Sequence, residues 1–386
     1  EIGSGLVGSE MCIRDSFVHG AGEDLHAAAV ANEDHDLVAR LAGVSYQTVS
    51  RVINDAAHVS ARTREKVQQA MAELHYVPNR GAQQLAGKRT RTLGLITTDL
   101  ALHAPSQIAS AVKTRAGERG ASVLISMVEH PQQCLAAVQE LLAQRVEGLL
   151  VNVPLEDEQA ESLQAQAVPV PVLFLDVSPT ARVHSLVFDA GQGAALGAQH
   201  LLALGHQRIA LLGGPQSSVS ARARLAGWLS TLAAAGVEPC AIAEGDWSAA
   251  SGYEKGHQLL AGAMLPQAIL VANDQMALGV MRACADKGIS VPGQLSVVGF
   301  DDTTDSAWFT PPLTTIRQAF REAGLRSVEW LLAQQGIVGQ APAQTRLPVS
   351  LIERHSTARE GIPQSSEELA QQLKSLAVLA EQLARR

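Results

Sequence analysis

The chain is short of several things, and each shortage narrows what it can be. Cysteine occurs four times in 386 residues (Cys12, Cys134, Cys240, Cys284), widely spaced and without a CxxC or Cys/His pair. A disulfide framework and a structural zinc site are therefore excluded, and reduced thiols are expected. No apolar run approaches the roughly 18 to 20 residues of a membrane span, and the N-terminal stretch lacks the basic and apolar regions of a secretory signal. The expectation is a soluble cytoplasmic protein with no membrane partner, no metal and no cofactor. Aromatic residues make up only 3% of the chain, so one placed among polar residues stands out. Base is scarcer than acid, at 30 Lys and Arg against 38 Asp and Glu, a net charge of -8. Taken whole, that balance argues against nucleic acid as a partner.

What is present changes that reading. The length and the 46% hydrophobic content suffice for two or three domains with substantial cores. The basic charge is concentrated. Residues 37–91 hold nine Lys and Arg against three acids, a local +6, while residues 1–36 carry -7 and residues 92–386 carry -7. Within the basic stretch, LVARLAGV (37–44) reads as an amphipathic helix closed by Gly43, with Ser45 as N-cap of a second helix through about Ile53. ARTREKVQQAMAELHY (61–76) reads as a third helix with Val67, Met71 and Leu74 on one face. Two short helices joined by a Gly-containing turn make a helix-turn-helix, whose second helix lies in the DNA major groove. Tyr46, Gln47 and Arg51 project from its N-terminal half, where Gln suits adenine and Arg suits guanine. Thr48, Ser50 and Asn54 are placed to bond phosphates or cap the fold. A solvated polar face is the plainer reading; the third helix, the local charge and the AGVS turn outweigh it.

VARLAGVSYQTVSRVIN, HVSARTREKV and YVPNRGAQQLAGK together resemble the headpiece and hinge of the lac repressor family of bacterial transcription factors. The likeness runs from about Val38 to the C-terminus. It implies that PNRGAQQLAGK (78–88) is a hinge helix, ordered on DNA, with Asn79 and Leu85 as DNA-contacting residues. Leu85 would be an apolar wedge in the minor groove, which unstacks a base step and bends the duplex. Gly81 lies inside this helix, where Gly costs about 1 kcal/mol relative to Ala. A plain interdomain linker is the alternative.

Beyond residue 91, short apolar runs alternate with helical stretches: 92–99, 121–129, 147–154, 170–177, 208–214, 268–274 and 295–302. Runs buried on both faces and separated by helices imply doubly wound parallel sheets, hence an α/β class. The stretch is too long for one small α/β domain, so two similar lobes are expected. The resemblance implies a two-lobed fold like that of periplasmic binding proteins, with chain crossovers near residues 188, 317 and 345. The expected division is an atypical, non-native or disordered segment (1–36), a headpiece (37–77), a hinge (78–90), a sugar-binding core (91–357), a linker (358–366) and a tetramerisation helix (367–386). Lobe 1 would comprise about 91–188 and 318–344, and lobe 2 about 189–317 and 345–357.

Several candidate strands end in polar groups: Asn152, Asp176, Asn273-Asp274 and Asp301-Asp302. Ligands of open α/β sheets bind at the carboxyl ends of strands, so these groups should converge on a cleft between lobes. Carboxylates and amides pair with vicinal hydroxyls, an Arg fixes orientation, and a flat aromatic covers the C-H face of a sugar. Trp247, in EGDWSAASG, is the expected platform. The resemblance implies a β-galactoside inducer with Asp176, Arg224, Asn273 and Asp301 on the galactosyl ring. It places Asn152, Ser220 and Gln318 in the wider polar lining, and Leu102, Pro105, Ile108, Phe188, Trp247 and Phe320 in the apolar walls. Thr98 keeps a hydroxyl beside the pocket.

SSEELAQQLKSLAVLAEQLARR follows a Pro-containing linker, with Leu369, Leu376 and Leu383 seven residues apart and Leu373 and Ala380 between. A plain amphipathic helix competes with a coiled coil here; the resemblance favours a helix that joins two homodimers into a homotetramer. Residues 1–36 match no part of the family, and Leu37 stands where the family has Asp; this segment is expected not to be native. The implied function is a transcriptional repressor of a lactose-type operon, released from double-stranded operator DNA by a β-galactoside. A family repressor answering another sugar is the alternative. A glycosidase using Asp301 and Asp302 is disfavoured, because adjacent residues on a strand point to opposite faces. A transport protein of the same fold would have a signal peptide and no headpiece.

Overall fold

A computed structural model describes residues 35–53, 58–76, 91–167, 170–336, 341–360, 370 and 373–374. It comprises two units, residues 1–90 and 91–386.

In the first unit, helix α1 spans residues 35–42, α2 spans Tyr46–Ile53 and α3 spans Ala61–Glu73. Gly43 ends α1 at φ +65°, a left-handed conformation that a Cβ would strain, and the Val44 amide donates back to the Ala39 carbonyl at 3.0 Å. The chain is thereby turned at once into α2. Ser45 caps α2 by accepting from the Thr48 amide at 3.2 Å, and Ser60 caps α3 in the same way through Thr63. Val38, Ala39, Ala42, Val49, Val52, Val67 and Ala70 form one buried cluster, with Met71 and Tyr76 packed against it. Two expectations need correction. Leu74 does not share the buried face: α3 ends at Glu73, Leu74 is its C-cap and is exposed, and Tyr76 fills that corner instead. Helix α1 also starts earlier than residue 37; His35 and Asp36 belong to it, and the His35 ring packs edge-on against Tyr46 at 5.1 Å.

The second unit runs β1 (Thr92–Thr97), α4 (His103–Glu118), β2 (Ser122–Met127), α5 (Cys134–Ala143), β3 (Leu149–Asn152), α6 (Asp157–Gln166), β4 (Val172–Phe174) and β5 (Ser185–Phe188). It continues through α7 (Ala190–Ala203), β6 (Ile209–Gly213), α8 (Val219–Ala234), β7 (Ala241–Glu244), α9 (Ala249–Leu259), β8 (Ala268–Val271), α10 (Asp274–Asp286) and β9 (Ser296–Asp301). It closes with β10 (Thr314–Gln318), α11 (Phe320–Ala333), β11 (Gln344–Leu347) and β12 (Val349–Ile352). The strands make two six-stranded sheets, ordered β11-β5-β4-β3-β1-β2 and β12-β10-β9-β8-β6-β7. Pairing is parallel throughout except between β10 and β12. Each sheet belongs to one lobe, and each has the same winding: the strand order reverses between β1 and β3 in one and between β6 and β8 in the other.

The chain passes between lobes after Phe188, after Gln318 and after Leu347. The third passage comes later than the expected boundary at residues 344–345, because β11 still pairs with β5 in register Leu347↔Phe188. The central strands are buried on both faces, but β2 and β7 lie at sheet edges, where Leu124, Ile125, Met127 and Ile242 are exposed. That departs from a uniformly buried reading. After β12 the chain docks along the second lobe: Ser356 donates to the Val297 carbonyl at 2.6 Å, His206 Nε2 donates to the Ala358 carbonyl at 2.9 Å, and the Glu360 amide donates to Leu204 at 3.0 Å. Among the described residues, no helix is long and apolar enough to cross a membrane.

Candidate functional site

Two reversals of strand order, one per lobe, put two sets of strand ends on one cleft. Its walls hold two adjoining pockets of about 210 and 170 Å³. The larger is lined by Thr98, Leu102, Pro105, Trp247, Asn273 and Asp301; the smaller by Ile108, Phe188, Gln318 and Phe320. Asn152, Asp176, Ser220 and Arg224 border both. The ligand-binding residues singled out in the sequence are thus brought together, but two of the strand-end groups expected in the cleft are not among its lining: Asp274 is buried in the fold behind it and Asp302 turns to Arg317 and Arg354.

Arg224 is the centre of the arrangement. On α8 it occupies the same face as Ala221, Trp228 and Leu232, so helical periodicity alone drives a guanidinium into the interior. A buried charge is tolerable only when paired and hydrogen-bonded. Arg224 donates to the Ala272 carbonyl, to Asp301 Oδ1 at 3.3 Å and to Gln318 Oε1 at 3.0 Å. Its guanidinium carbon lies 4.0 Å from the Phe300 ring centroid and 5.4 Å from that of Trp247, so the aromatics sheath the charge from water. Phe300 escaped the sequence reading because a Phe inside an apolar strand carries no sign of this role.

The carboxylates pay for their seclusion in acidity. Burial pushes Asp301 up to about 7, with Arg224 pulling the other way, and pushes Asp176 up to about 6 against Arg224 and Arg222. Both therefore titrate near neutrality. Asp301, Asp302 and Trp247 all have positive φ, at +110°, +56° and +76°, conformations that non-glycine residues hold only when neighbours enforce them. The enforcement is visible. Asp302 is clamped by Arg317 at 2.6 Å and Arg354 at 2.5 Å, leaving Asp301 to face the cleft, so the two adjacent carboxylates serve separate networks. The Trp247 carbonyl accepts from Asn273 Nδ2 at 2.9 Å, and Gly214 leaves room for the indole that any side chain there would overlap.

Asn273 does more than the sequence suggested. Its Oδ1 caps α10 by accepting from the Met276 amide at 2.9 Å while its Nδ2 holds the Trp247 turn, so it scaffolds the site as well as bordering it. Next to it, fully buried Asp274 accepts from the Thr303 amide at 2.8 Å, from Thr315 Oγ1 at 2.6 Å and from Ser306 Oγ, tying the turn after β9 to β10. Its pKa too is pushed up by burial, to about 6. The cleft mouth carries a second group the sequence did not disclose: Arg222 Nη2 lies 2.5 Å from Glu156 Oε1, joining α8 of one lobe to the approach to α6 of the other. The His103 amide and Gln275 Oε1 make a weaker link at 3.4 Å. Among the described residues no three His, Cys, Asp or Glu are grouped to hold a metal ion.

In the first unit, Tyr46, Gln47 and Arg51 are exposed on α2, Thr48 and Ser50 are partly buried, and Val49 and Val52 face the core. One face of the helix is thus committed to packing and the other displays the residues assigned to base reading. Thr48 is also engaged locally, its hydroxyl 2.9 Å from that of Ser45. Asn54, Asn79, Leu85, Leu369, Leu376 and Leu383 lie outside the described residues, and Leu373 is exposed.

Comparison with known proteins agrees with both units. Residues 36–79 match the model of the bacterial regulatory proteins of the lacI family, and residues 198–357 match a periplasmic binding protein-like domain. The lactose operon repressor of Escherichia coli (strain K12) is 56% identical over 323 residues, covering 83% of this chain and 89% of that protein. The lactose operon repressor of Klebsiella pneumoniae is 44% identical over 344 residues, covering 88% and 96%. A crystal structure of the lac repressor dimer bound to operator and the anti-inducer ONPF aligns with a TM-score of 0.77 at 55% identity, covering 83% of this chain and 98% of that one. A cellobiose complex of the transcriptional regulator CelR aligns with a TM-score of 0.63 at 30% identity, covering 83% and 99%.

Proposed function

The chain belongs to the lacI family of bacterial regulatory proteins, and we propose that it is the repressor of a lactose-type operon, binding operator DNA through its first unit and a β-galactoside through its second. The observation that carries the ligand reading is the convergence of Asp176, Arg224, Asn273, Asp301 and Trp247 on one cleft between two lobes. Carboxylates and an amide with fixed partners suit the hydroxyls of a pyranose, and the indole suits its C-H face. The 56% identity to a lactose operon repressor, and a related lac repressor structure bound to ONPG, favour a galactoside over other sugars.

On the DNA, Tyr46, Gln47 and Arg51 read base edges while Thr48, Ser50 and Asn54 hold phosphates; Asn79 and Leu85 act in the hinge. The headpiece takes residues 37–77, extended to His35 by the observed helix, and the hinge 78–90. Two headpieces of a homodimer bind a pseudo-palindromic operator. The heptad leucines Leu369, Leu373, Leu376 and Leu383 join two dimers into a tetramer, which raises the effective concentration at a second operator. The protein works in the cytoplasm, on the nucleoid. Inducer binding between the lobes favours a lobe arrangement that no longer supports the DNA-bound hinge, and by linkage operator weakens inducer by the same factor. The protein is a regulator, not an enzyme.

Titration of a fluorescent lac-type operator duplex, with and without isopropyl thiogalactoside at two salt concentrations, tests this directly. Tight, salt-sensitive binding released by the galactoside is the expected result. Absence of any galactoside effect, with no heat of galactoside binding by calorimetry, would overturn the inducer assignment.

A further inference from the structure

Beside the four polar residues it shares with the larger pocket, and Gln318, the smaller pocket has an apolar wall: Ile108, Leu186, Phe188 and Phe320 line it, and the two Phe rings meet edge-to-face at 5.4 Å. That wall suits an aromatic or aliphatic group. Yet the same pocket is bordered by two opposite charges, Asp189 and Arg346.

The pair is loosely built. Arg346 Nη1 lies 3.4 Å from Asp189 Oδ2, its side chain is 55% exposed, and its Nε donates to Gln344 Oε1 at 3.2 Å. An exposed pair of that length contributes little to stability. The other Asp189 oxygen is engaged in capping α7, accepting from the Gln192 amide at 2.9 Å. Asp189 therefore orients the guanidinium from one side, and Nη2 of Arg346 has no partner among the described residues. The N–H groups of Nη2 remain to donate to an anionic oxygen.

We propose that Arg346 is a specificity-determining residue, selecting galactosides whose aglycone ends in a carboxylate or similar anionic acceptor, with Phe188 and Phe320 enclosing the apolar part between. This rests on the galactoside reading of the cleft and adds a second chemical requirement to it. Five residues common to both pockets, Ala104, Asn152, Asp176, Ser220 and Arg224, make the two spaces contiguous, so one ligand can occupy both.

Calorimetry on the full chain with methyl, phenyl and 4-carboxyphenyl β-galactosides tests the inference. In the native protein the carboxyphenyl compound should bind about tenfold tighter than the phenyl compound, an advantage that shrinks as salt rises. Arg346→Leu should abolish or reverse that preference and leave methyl galactoside unchanged. Asp189→Asn, which keeps the α7 cap and removes the competing charge, should strengthen the preference a few-fold. An unchanged phenyl-to-carboxyphenyl ratio in Arg346→Leu overturns the inference while leaving the galactoside site intact. Failure of all three compounds to bind the native protein overturns the galactoside reading, and this inference with it.

Discussion

Asp274 offers a sharp test of the energetics beneath the site, because replacing it with Asn changes charge while nearly conserving shape. The residue is fully buried and its pKa is raised to about 6 from a usual 3.8. A raised pKa means that the folded state prefers the protonated acid. The corresponding stability is present below the unfolded value and is lost as pH rises through the folded one. At pH 8 the buried carboxylate thus costs about 3 kcal/mol relative to its neutral form, and at pH 5 about half of that. Asn keeps an oxygen to accept from the Thr303 amide and can donate to Thr315 Oγ1, whose hydroxyl can turn to accept. The Asp274→Asn variant should therefore gain on the native protein by about 1 to 2 kcal/mol between pH 5 and pH 8. Loss of the negative charge also lowers the pKa of Asp301, which Asp274 raises, and that acts in the same direction. The assay is urea unfolding of both proteins at the two pH values, compared as a difference so that other titrating groups cancel. A difference that is independent of pH, or that grows in favour of the native protein as pH rises, would refute the reasoning.

Three further outcomes are expected. Sugar hydroxyls donate to carboxylates, so galactoside affinity should fall as pH drops from 8 to 6 while Asp301 and then Asp176 take up protons; calorimetry should show a flatter profile for Asp301→Asn. Glu156→Gln or Arg222→Ala removes the ion pair at the cleft mouth, and stopped-flow should show galactoside association and dissociation both a few-fold faster with little change in Kd. Gln47→Ala should lose about 1 to 3 kcal/mol of discrimination at one operator position while leaving the salt dependence of binding unchanged, read by titration of matched and single-mismatch duplexes.

Much of this was open to reading from the residues alone, for definite reasons. The AGVS turn announces itself because a left-handed residue followed by a hydroxyl cap has few other uses, and Gly43 and Ser45 perform both roles. Strands buried on both faces leave continuous apolar runs, whereas edge strands do not. Hence the edge strands β7, β11 and β12 went unassigned, whereas β2, also at an edge, has a sequence apolar enough to be read; the internal β10 was missed because its buried positions include Thr314, Thr315 and Gln318, and the internal β5 was missed as well. Arg224 came from the family resemblance alone; that it sits in the buried stripe of its helix shows only once α8 is placed. Its neighbours were no more legible: Asp274 looks like an ordinary first-turn acid, and Glu156 and Arg222 are distant in sequence and meet only when the lobes face each other. Pairings of that kind depend on where two elements end in space, and no periodicity encodes it. Leu74 erred in the opposite sense, since helical spacing continued past the point where the chain had turned.

The route of the chain through the lobes has a mechanical implication. Residue 91 enters the lobe built on β1, whereas residues 353–360 leave along the lobe built on β6, held there by Ser356, His206 and Glu360. The connection toward the DNA-reading residues and the connection toward the C-terminal heptads thus depart from different bodies. On the proposed assembly through the C-terminal heptads, the second lobe can serve as a fixed mount against which the first lobe turns like a lever on a threefold strap. Ligand in the cleft would then reset the lever without disturbing the mount, so that release from DNA need not loosen the oligomer.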